Sequence, residues 1–174
     1  GLGDVYKRQL LIIMQDFVHL HVHTQYSLLD GQASVARLVD KAMKNGMKGI
    51  AVTDHGNMFG IKEFTNYVNK KNSGPKGEVK DLKKRIAGIE AGTIECEDKE
   101  AEIAACKAKI VEAENKLFKP IIGCEMYVAR RTMDLKEGKP DQSGYHLIVL
   151  AKNETGYHNL IKLVSHAWTR GYYM

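Results

Sequence analysis

Three histidines alternate with apolar residues near the start of the chain, and this spacing restricts fold and chemistry more than any other feature. The run reads His19-Leu20-His21-Val22-His23. Successive side chains of a β-strand point to opposite faces, so the pattern predicts a strand over about residues 16–23 with the three imidazoles on one face. Same-face neighbours lie roughly 6.5–7 Å apart, which lets two imidazoles converge on one or two metal ions. The alternative is a strand with solvent-facing histidines.

Length, charge and cysteine content narrow the class of protein. The chain has 174 residues, enough for one domain with a sizeable core. The net charge of +5 is compatible with a nucleic-acid partner without requiring one. Three scattered cysteines are too few for a disulfide framework or a Cys-rich zinc site, which favours a reducing cytoplasm. No apolar run reaches the length of a membrane span, so no membrane partner is expected.

Helices and strands are predicted to alternate along the chain. The predicted helices are 35–44, capped by Ser34, then 59–71, and a last one from near residue 155. The predicted strands after the first are 49–53, 120–128 and 145–151. Such alternation is typical of βαβ units and a parallel sheet or barrel. Residues 1–13 are interpreted as an upstream extension, because Met14 resembles a true start and the apolar run before it is too short for a signal peptide.

A charged segment separates the second predicted helix from the third strand. Residues 73–119 carry ten Lys and Arg and ten Asp and Glu, so the surplus of positive charge lies elsewhere. Residues 72–75 are predicted to break the helical pattern. Apolar residues then step by three and four over 79–89 and 103–117, and the phase is lost near 92–93. The pattern predicts an inserted helical hairpin over about 76–118, either a solvated structural arm or a docking surface for a partner.

Candidate metal ligands follow or occupy each predicted strand. In α/β folds, chemistry gathers at the C-terminal ends of the strands. The candidates with imidazole or carboxylate groups are His21, His23, Asp30, Asp54, His55, Glu125 and His146. Without a metal, such a cluster would bury several polar groups at a cost. Its nitrogen and oxygen donors suit zinc or a mixed zinc, manganese and iron set, and adjacent ions could activate water and hold a phosphate ester.

Four stretches of the chain together resemble a known family. Residues 19–31, 52–60, 119–125 and 146–160 are similar to the PHP (polymerase and histidinol phosphatase) domain, in the form found at the N-terminus of bacterial replicative DNA polymerase III alpha subunits. The resemblance implies a PHP domain over 14–174, as the N-terminal portion of a distorted (β/α)7 barrel. The family's remaining ligands lie on later strands, so the 174 residues alone are expected to be inactive.

The resemblance also implies roles for individual residues. The implied metal ligands are His21, His23, Asp30, His55, Glu125 and His146, with Asp30 and His55 also catalytic. His19 is expected to orient its neighbours from outside the ligand set. For Asp54, two alternatives stay open, a structural role and a role in the site. His158 and His166 are expected to be surface or packing residues, and Cys124 a small core residue.

The implied function is that of a replicative polymerase module. The parent protein would be a DNA-directed DNA polymerase in the cytoplasm, with zinc or manganese in a multinuclear PHP site and magnesium in a polymerase domain absent from this chain. Its partners would be DNA, the sliding clamp and a proofreading exonuclease. The PHP site would act either as a 3′–5′ exonuclease or as a structural metal site. The alternative is a stand-alone phosphatase of the histidinol-phosphate type, which residues 24–31 and 156–160 disfavour.

Overall fold

The computed structural model describes residues 17–142 and 144–173, so the predicted upstream extension, 1–13, lies outside the described residues. The helices are α1 (Val35–Lys44), α2 (Ile61–Lys71), α3 (Ser73–Glu90), α4 (Lys99–Asn115) and α5 (Glu154–His166), and the strands are β1 (Gly49–Val52), β2 (Lys119–Val128) and β3 (Tyr145–Leu150). A short 3-10 turn occupies Lys139–Asp141, and a π-helical turn, Ala167–Gly171, follows α5. The mixed α/β composition agrees with the predicted class. Residues 68–118 form one compact unit, and the described residues before and after them form another.

The first helix begins and ends where the sequence predicts. The Ser34 side chain caps α1, and Gly46 follows the helix with φ +76, a left-handed conformation that glycine adopts without strain. Val35, Val39 and Ala42 lie on one face and are buried. Their spacing by four and three residues is that of a core-facing stripe.

The sheet has the order β1-β2-β3 and is only partly parallel. All four residues of β1 are buried, and β1 pairs with β2 in parallel, with Gly49 opposite Lys119. By contrast, β3 runs antiparallel to β2, with His146 opposite Tyr127. The expectation of a parallel sheet is therefore wrong for β3. A parallel return needs a crossover, usually a helix, whereas the described residues between β2 and β3 contain only the 3-10 turn, and the chain doubles back.

Residues 17–23 do not form the predicted first strand. The carbonyl of His19 accepts from the N–H of Ala51 at 2.9 Å, and the carbonyl of Val22 accepts from the N–H of Thr53 at 2.9 Å. From His19 to Val22 the chain advances by three residues, whereas the segment paired with it advances by two, from Ala51 to Thr53. The extra residue bends the backbone as a β-bulge does. His21 and His23 nevertheless reach one cluster of candidate ligands, whereas the ring of His19 packs against Phe17.

The helical pair of residues 73–115 begins earlier than expected. The N–H of Asn72 donates to Val68 O at 2.9 Å and that of Lys76 donates to Asn72 O at 3.0 Å, so residues 72–75 do not break the helical pattern. Pro75 lies in the first turn of α3, a part of a helix in which proline is tolerated. The two helices are separated at 91–98, a range that includes the predicted loss of phase.

Residues 68–118 have a small core of their own. Ile89, Cys106 and Ala113 are buried where α3 and α4 pack together. At the base of the pair, Asn72 Nδ2 donates to Phe118 O at 2.8 Å and Asn72 Oδ1 accepts from Phe118 N at 2.9 Å. No helix within residues 17–142 and 144–173 combines the length and apolarity needed to cross a membrane.

Candidate metal centre

The structure brings together the six side chains that the sequence and the resemblance nominate as metal ligands. They form three overlapping groups: His21, His23 and Glu125; His23, Asp30 and His55; and His55, Glu125 and His146. The candidate ligand atoms of each group all lie within 4.8 Å of one another. Four parts of the chain therefore converge at this cluster: the loop 17–31, the residues just after β1, and strands β2 and β3.

Glu125 lies at the middle of this cluster. Its side chain is 1% exposed, and its Oε2 lies 2.6 Å from His21 Nε2 and 2.9 Å from His23 Nε2. Its other oxygen contacts His146 Nδ1. Burial acts to raise the pKa of Glu125, but the hydrogen bond from His21 and the charges of His55, His21 and His146 outweigh it and lower the pKa. A buried, ionised carboxylate surrounded by imidazoles is the result.

The sheet positions these groups. Glu125 lies opposite Ile148, so His146 is its diagonal neighbour across the antiparallel pair and within side-chain reach. His55 continues the line of β1 and forms a parallel bridge with Glu125, where the N–H of Gly56 donates to Glu125 O at 2.9 Å. The parallel and antiparallel neighbours of β2 thus deliver their imidazoles to the same carboxylate.

Ser27 sets the orientation of His23. The Asp54 carboxylate accepts from Thr24 N at 2.6 Å, Thr24 Oγ1 at 2.8 Å and Ser27 Oγ at 2.7 Å. Since the single hydroxyl proton of Ser27 goes to Asp54, the Ser27 oxygen accepts from His23 Nδ1 at 2.8 Å and from the backbone N–H of His55 at 3.1 Å. His23 therefore carries a proton on Nδ1.

This hydrogen bond leaves the Nε2 of a neutral His23 with a bare lone pair. That lone pair lies 2.9 Å from Glu125 Oε2 and 2.9 Å from His21 Nε2. Electron pairs so close together repel one another unless a proton or a cation lies between them. An imidazole whose other N–H is hydrogen-bonded is also the usual state of a metal-ligating histidine. The residues present therefore fit a divalent ion bound by nitrogen and oxygen.

Asp30 and His55 form a second, more open part of the cluster. Asp30 Oδ2 lies 2.5 Å from His55 Nε2, and this hydrogen bond lowers the pKa of Asp30. The Tyr127 hydroxyl lies 3.0 Å from His55 Nδ1. Leu29 has φ +69, a conformation uncommon for a residue with a branched side chain, and immediately precedes Asp30. The side chain of Asp30 is 63% exposed, so this part of the cluster is accessible to solvent.

The remaining candidates lie apart from the cluster. Asp54 is 1% exposed and holds Thr24 and Ser27, so the structure gives it a structural role. The ring of His19 packs edge-on against Phe17 at 4.6 Å. His158 lies on α5, where its nearest acidic contact is Glu154 at 3.9 Å, and His166 ends the same helix.

Sequence reasoning missed three residues of the site. Thr24 and Ser27 carry hydroxyls three residues apart within the histidine-rich stretch, and the turn that joins them is closed by the N–H of Ser27 donating to Thr24 O at 2.9 Å. Their location in that stretch was the available signal. Tyr127 lies two residues beyond Glu125 on β2 and therefore on the same face, which the period of a strand could have revealed.

Comparison with known proteins identifies the family. The family model described as PHP domain matches residues 19–174. The chain therefore belongs to the PHP domain family, and the resemblance seen in its motifs is confirmed.

Similar proteins narrow the resemblance further. A DNA polymerase III subunit alpha of Borreliella burgdorferi is 40% identical over 160 residues, and that of Treponema pallidum is 40% identical over 158 residues. The subunit of Aquifex aeolicus is 32% identical over 165 residues. These matches cover 90–91% of this chain and 10% of each relative. The chain thus spans about a tenth of the length of these curated relatives.

Proposed function

We propose that the six-residue cluster is a metal-dependent phosphodiesterase site that removes nucleotides from the 3′ end of a DNA strand. The observation that carries the proposal is the convergence of imidazoles on the buried Glu125 carboxylate, with His23 Nε2 at 2.9 Å from its Oε2. The similarity to replicative polymerase subunits supports DNA as the substrate.

The ligands of the proposed site divide between the two parts of the cluster. His21, His23 and Glu125 would hold one ion, while Asp30, His55 and His146 would complete a multinuclear site with zinc or manganese. Bound divalent ions would lower the pKa of a water molecule and neutralise charge on the phosphate oxygens.

Asp30 and His55 are the proposed catalytic pair. The Asp30 carboxylate is the group best placed to accept the proton of an attacking water, because its side chain is 63% exposed and His55 holds its Oδ2 at 2.5 Å. The water oxygen would bond to phosphorus, and the bond from phosphorus to the 3′ oxygen would break. The products would be a nucleoside 5′-monophosphate and a shortened strand whose new 3′ oxygen takes up a proton.

We infer that the parent protein is a bacterial, cytoplasmic DNA polymerase with this domain at its N-terminus. In this proposal, residues 14–174 form the first part of a distorted (β/α)7 barrel, and the pair α3–α4 is inserted into it. Magnesium would serve the polymerase domain, and the sliding clamp and a separate proofreading exonuclease would be partners. The similarity to polymerase subunits disfavours a stand-alone phosphatase of the histidinol-phosphate type.

The test compares two matched substitutions in the full reading frame that contains this chain. Glu125→Gln removes the buried charge that faces the imidazoles, whereas Glu154→Gln changes an exposed carboxylate on α5. We expect Glu125→Gln to lose bound zinc or manganese and the release of 5′-mononucleotides from a 3′ end, and Glu154→Gln to keep both. Full metal content in both variants would contradict the ligand assignment. Full metal content without hydrolysis in the unsubstituted protein would contradict the phosphodiesterase function and indicate a structural metal site.

A further inference from the structure

A cavity of about 540 Å³ adjoins the metal centre. Three of its lining residues, His55, Tyr127 and His146, belong to or contact the cluster described above. Its volume falls within the range of about 300–1,000 Å³ that is typical of small-molecule sites. A molecule bound in this cavity would therefore lie directly beside the proposed ligands.

Aromatic side chains form part of the cavity wall. The rings of Trp168 and Tyr172 are parallel within 11°, with centroids 5.8 Å apart. Trp168 Nε1 donates to Gly56 O at 2.7 Å, and Gly56 immediately follows His55. The indole is thus fixed in orientation although its side chain is 52% exposed. A large aromatic face that is both fixed and exposed is suited to stacking with a planar ligand.

The walls of the cavity are held together by polar contacts between residues 134–138 and the last described residues. Arg170 pairs with Asp134 at 2.9 Å, and Lys136 Nζ donates to Arg170 O at 2.9 Å. The N–H of Gly138 donates to the Tyr173 hydroxyl at 2.9 Å. These contacts connect the two walls of the cavity, and the Asp134 carboxylate pairs with the positive charge of Arg170.

We propose that this cavity binds the base of the nucleotide whose phosphate reaches the metal centre, with the base stacked on Trp168. The proposal rests on the proposed function, which supplies the phosphate. The aromatic wall would recognise the flat face of the base, and the metal centre would recognise the charge. Since every base has such a face, binding would depend little on sequence.

The experiment measures how much the base contributes to binding. Calorimetry compares deoxyadenosine 5′-monophosphate with deoxyribose 5-phosphate, which lacks a base, on the metal-loaded full-length protein. We expect the nucleotide to bind at least roughly 10-fold more tightly, as stacking on one aromatic side chain allows. Trp168→Ala should remove most of this preference, whereas Trp168→Phe should retain most of it because the ring remains.

Leu163→Ala is the matched control, because Leu163 is 51% exposed on α5 and does not line the cavity. It should leave the preference unchanged. An unchanged preference in Trp168→Ala, or an equal loss in Trp168→Phe and Trp168→Ala, would overturn the stacking role. Base preference without hydrolysis would overturn the proposed function but not the base-binding role of the cavity. Hydrolysis without base preference would overturn the base-binding role of the cavity but not the proposed function.

Discussion

A single hydroxyl, that of Ser27, connects two histidines of the metal centre to the buried Asp54 carboxylate. It donates to Asp54, accepts from the ring of His23, and accepts from the backbone of His55. Side chains that hydrogen-bond to a metal ligand from outside the ligand set fix its tautomer and its direction. Ser27 is buried, so water cannot readily replace its hydroxyl.

Ser27→Ala should therefore weaken metal binding without removing a ligand. We expect a loss of about 10–100-fold in zinc or manganese affinity, the usual effect of removing such a partner. Competition with a chelator measures the metal affinity. Ser73→Ala is the control, since Ser73 is exposed at the start of α3 and its hydroxyl donates to Lys70 O of α2. Equal affinities in the two variants would show that His23 keeps its tautomer without Ser27.

Cysteine reactivity provides a test of the burial of a single residue, Cys124. Burial, followed by the charge of Asp54, raises the pKa of Cys124 to about 12. The thiolate is the reactive form, so at pH 8, well below this pKa, Cys124 stays protonated and inert. Cys96 is partly exposed. Iodoacetamide followed by mass spectrometry should modify Cys96 first and Cys124 only after unfolding, and similar rates at both would contradict the burial of Cys124.

The sequence predicted the six clustered side chains but not the groups that support them. Imidazoles and carboxylates near strand ends are rare enough to be noticed, and the structure does bring His21 and Glu125 together. Thr24 and Ser27 are ordinary turn residues, and their role follows from which hydroxyl faces Asp54. Such contacts depend on the folded backbone and leave little trace in residue spacing.

At the level of elements, local signals predicted helices well and strand pairing less well. The cap at Ser34 and the glycine at 46 mark α1 in the sequence itself. Whether β3 runs parallel or antiparallel depends on the path of residues 129–144, which periodicity does not encode. The bend at 20–21 likewise depends on pairing with residues 51–53. Alternation of side chains alone could not reveal it.

The helical pair is expected to be dispensable for the metal centre. The two hydrogen bonds between Asn72 and Phe118 hold the chain ends of the pair close together, so a short linker can replace residues 73–117. We expect a Gly/Ser linker to leave metal content unchanged and to alter the thermal midpoint only slightly. Mass spectrometry of bound metal and a thermal melt provide the measurements. A large loss of both would show that α3 and α4 belong to the core.

At the scale of the whole molecule, the sheet has an open side. Within the part of the chain that the structure describes, β3 pairs only with β2, and Tyr145 and Leu147 on β3 are exposed. An uncovered strand edge with apolar side chains promotes association. Further strands from the natural reading frame would cover such an edge if the proposed barrel is correct.

We therefore expect the 174-residue chain to associate and to bind less metal than a protein extended along its reading frame. Light scattering and metal analysis on the two proteins, at equal concentration, provide the comparison. A shorter chain that stays monomeric, binds as much metal and cleaves a DNA 3′ end as fast would contradict the proposed barrel.

The indole of Trp168 is also a spectroscopic probe that the protein already contains. It is the only tryptophan among the 174 residues, and its N–H is bonded to the carbonyl of the residue after His55. Its emission therefore comes from one known place beside the metal centre. Changes in that emission during metal titration or stopped-flow mixing would report on the cluster directly, without a dye or an introduced label.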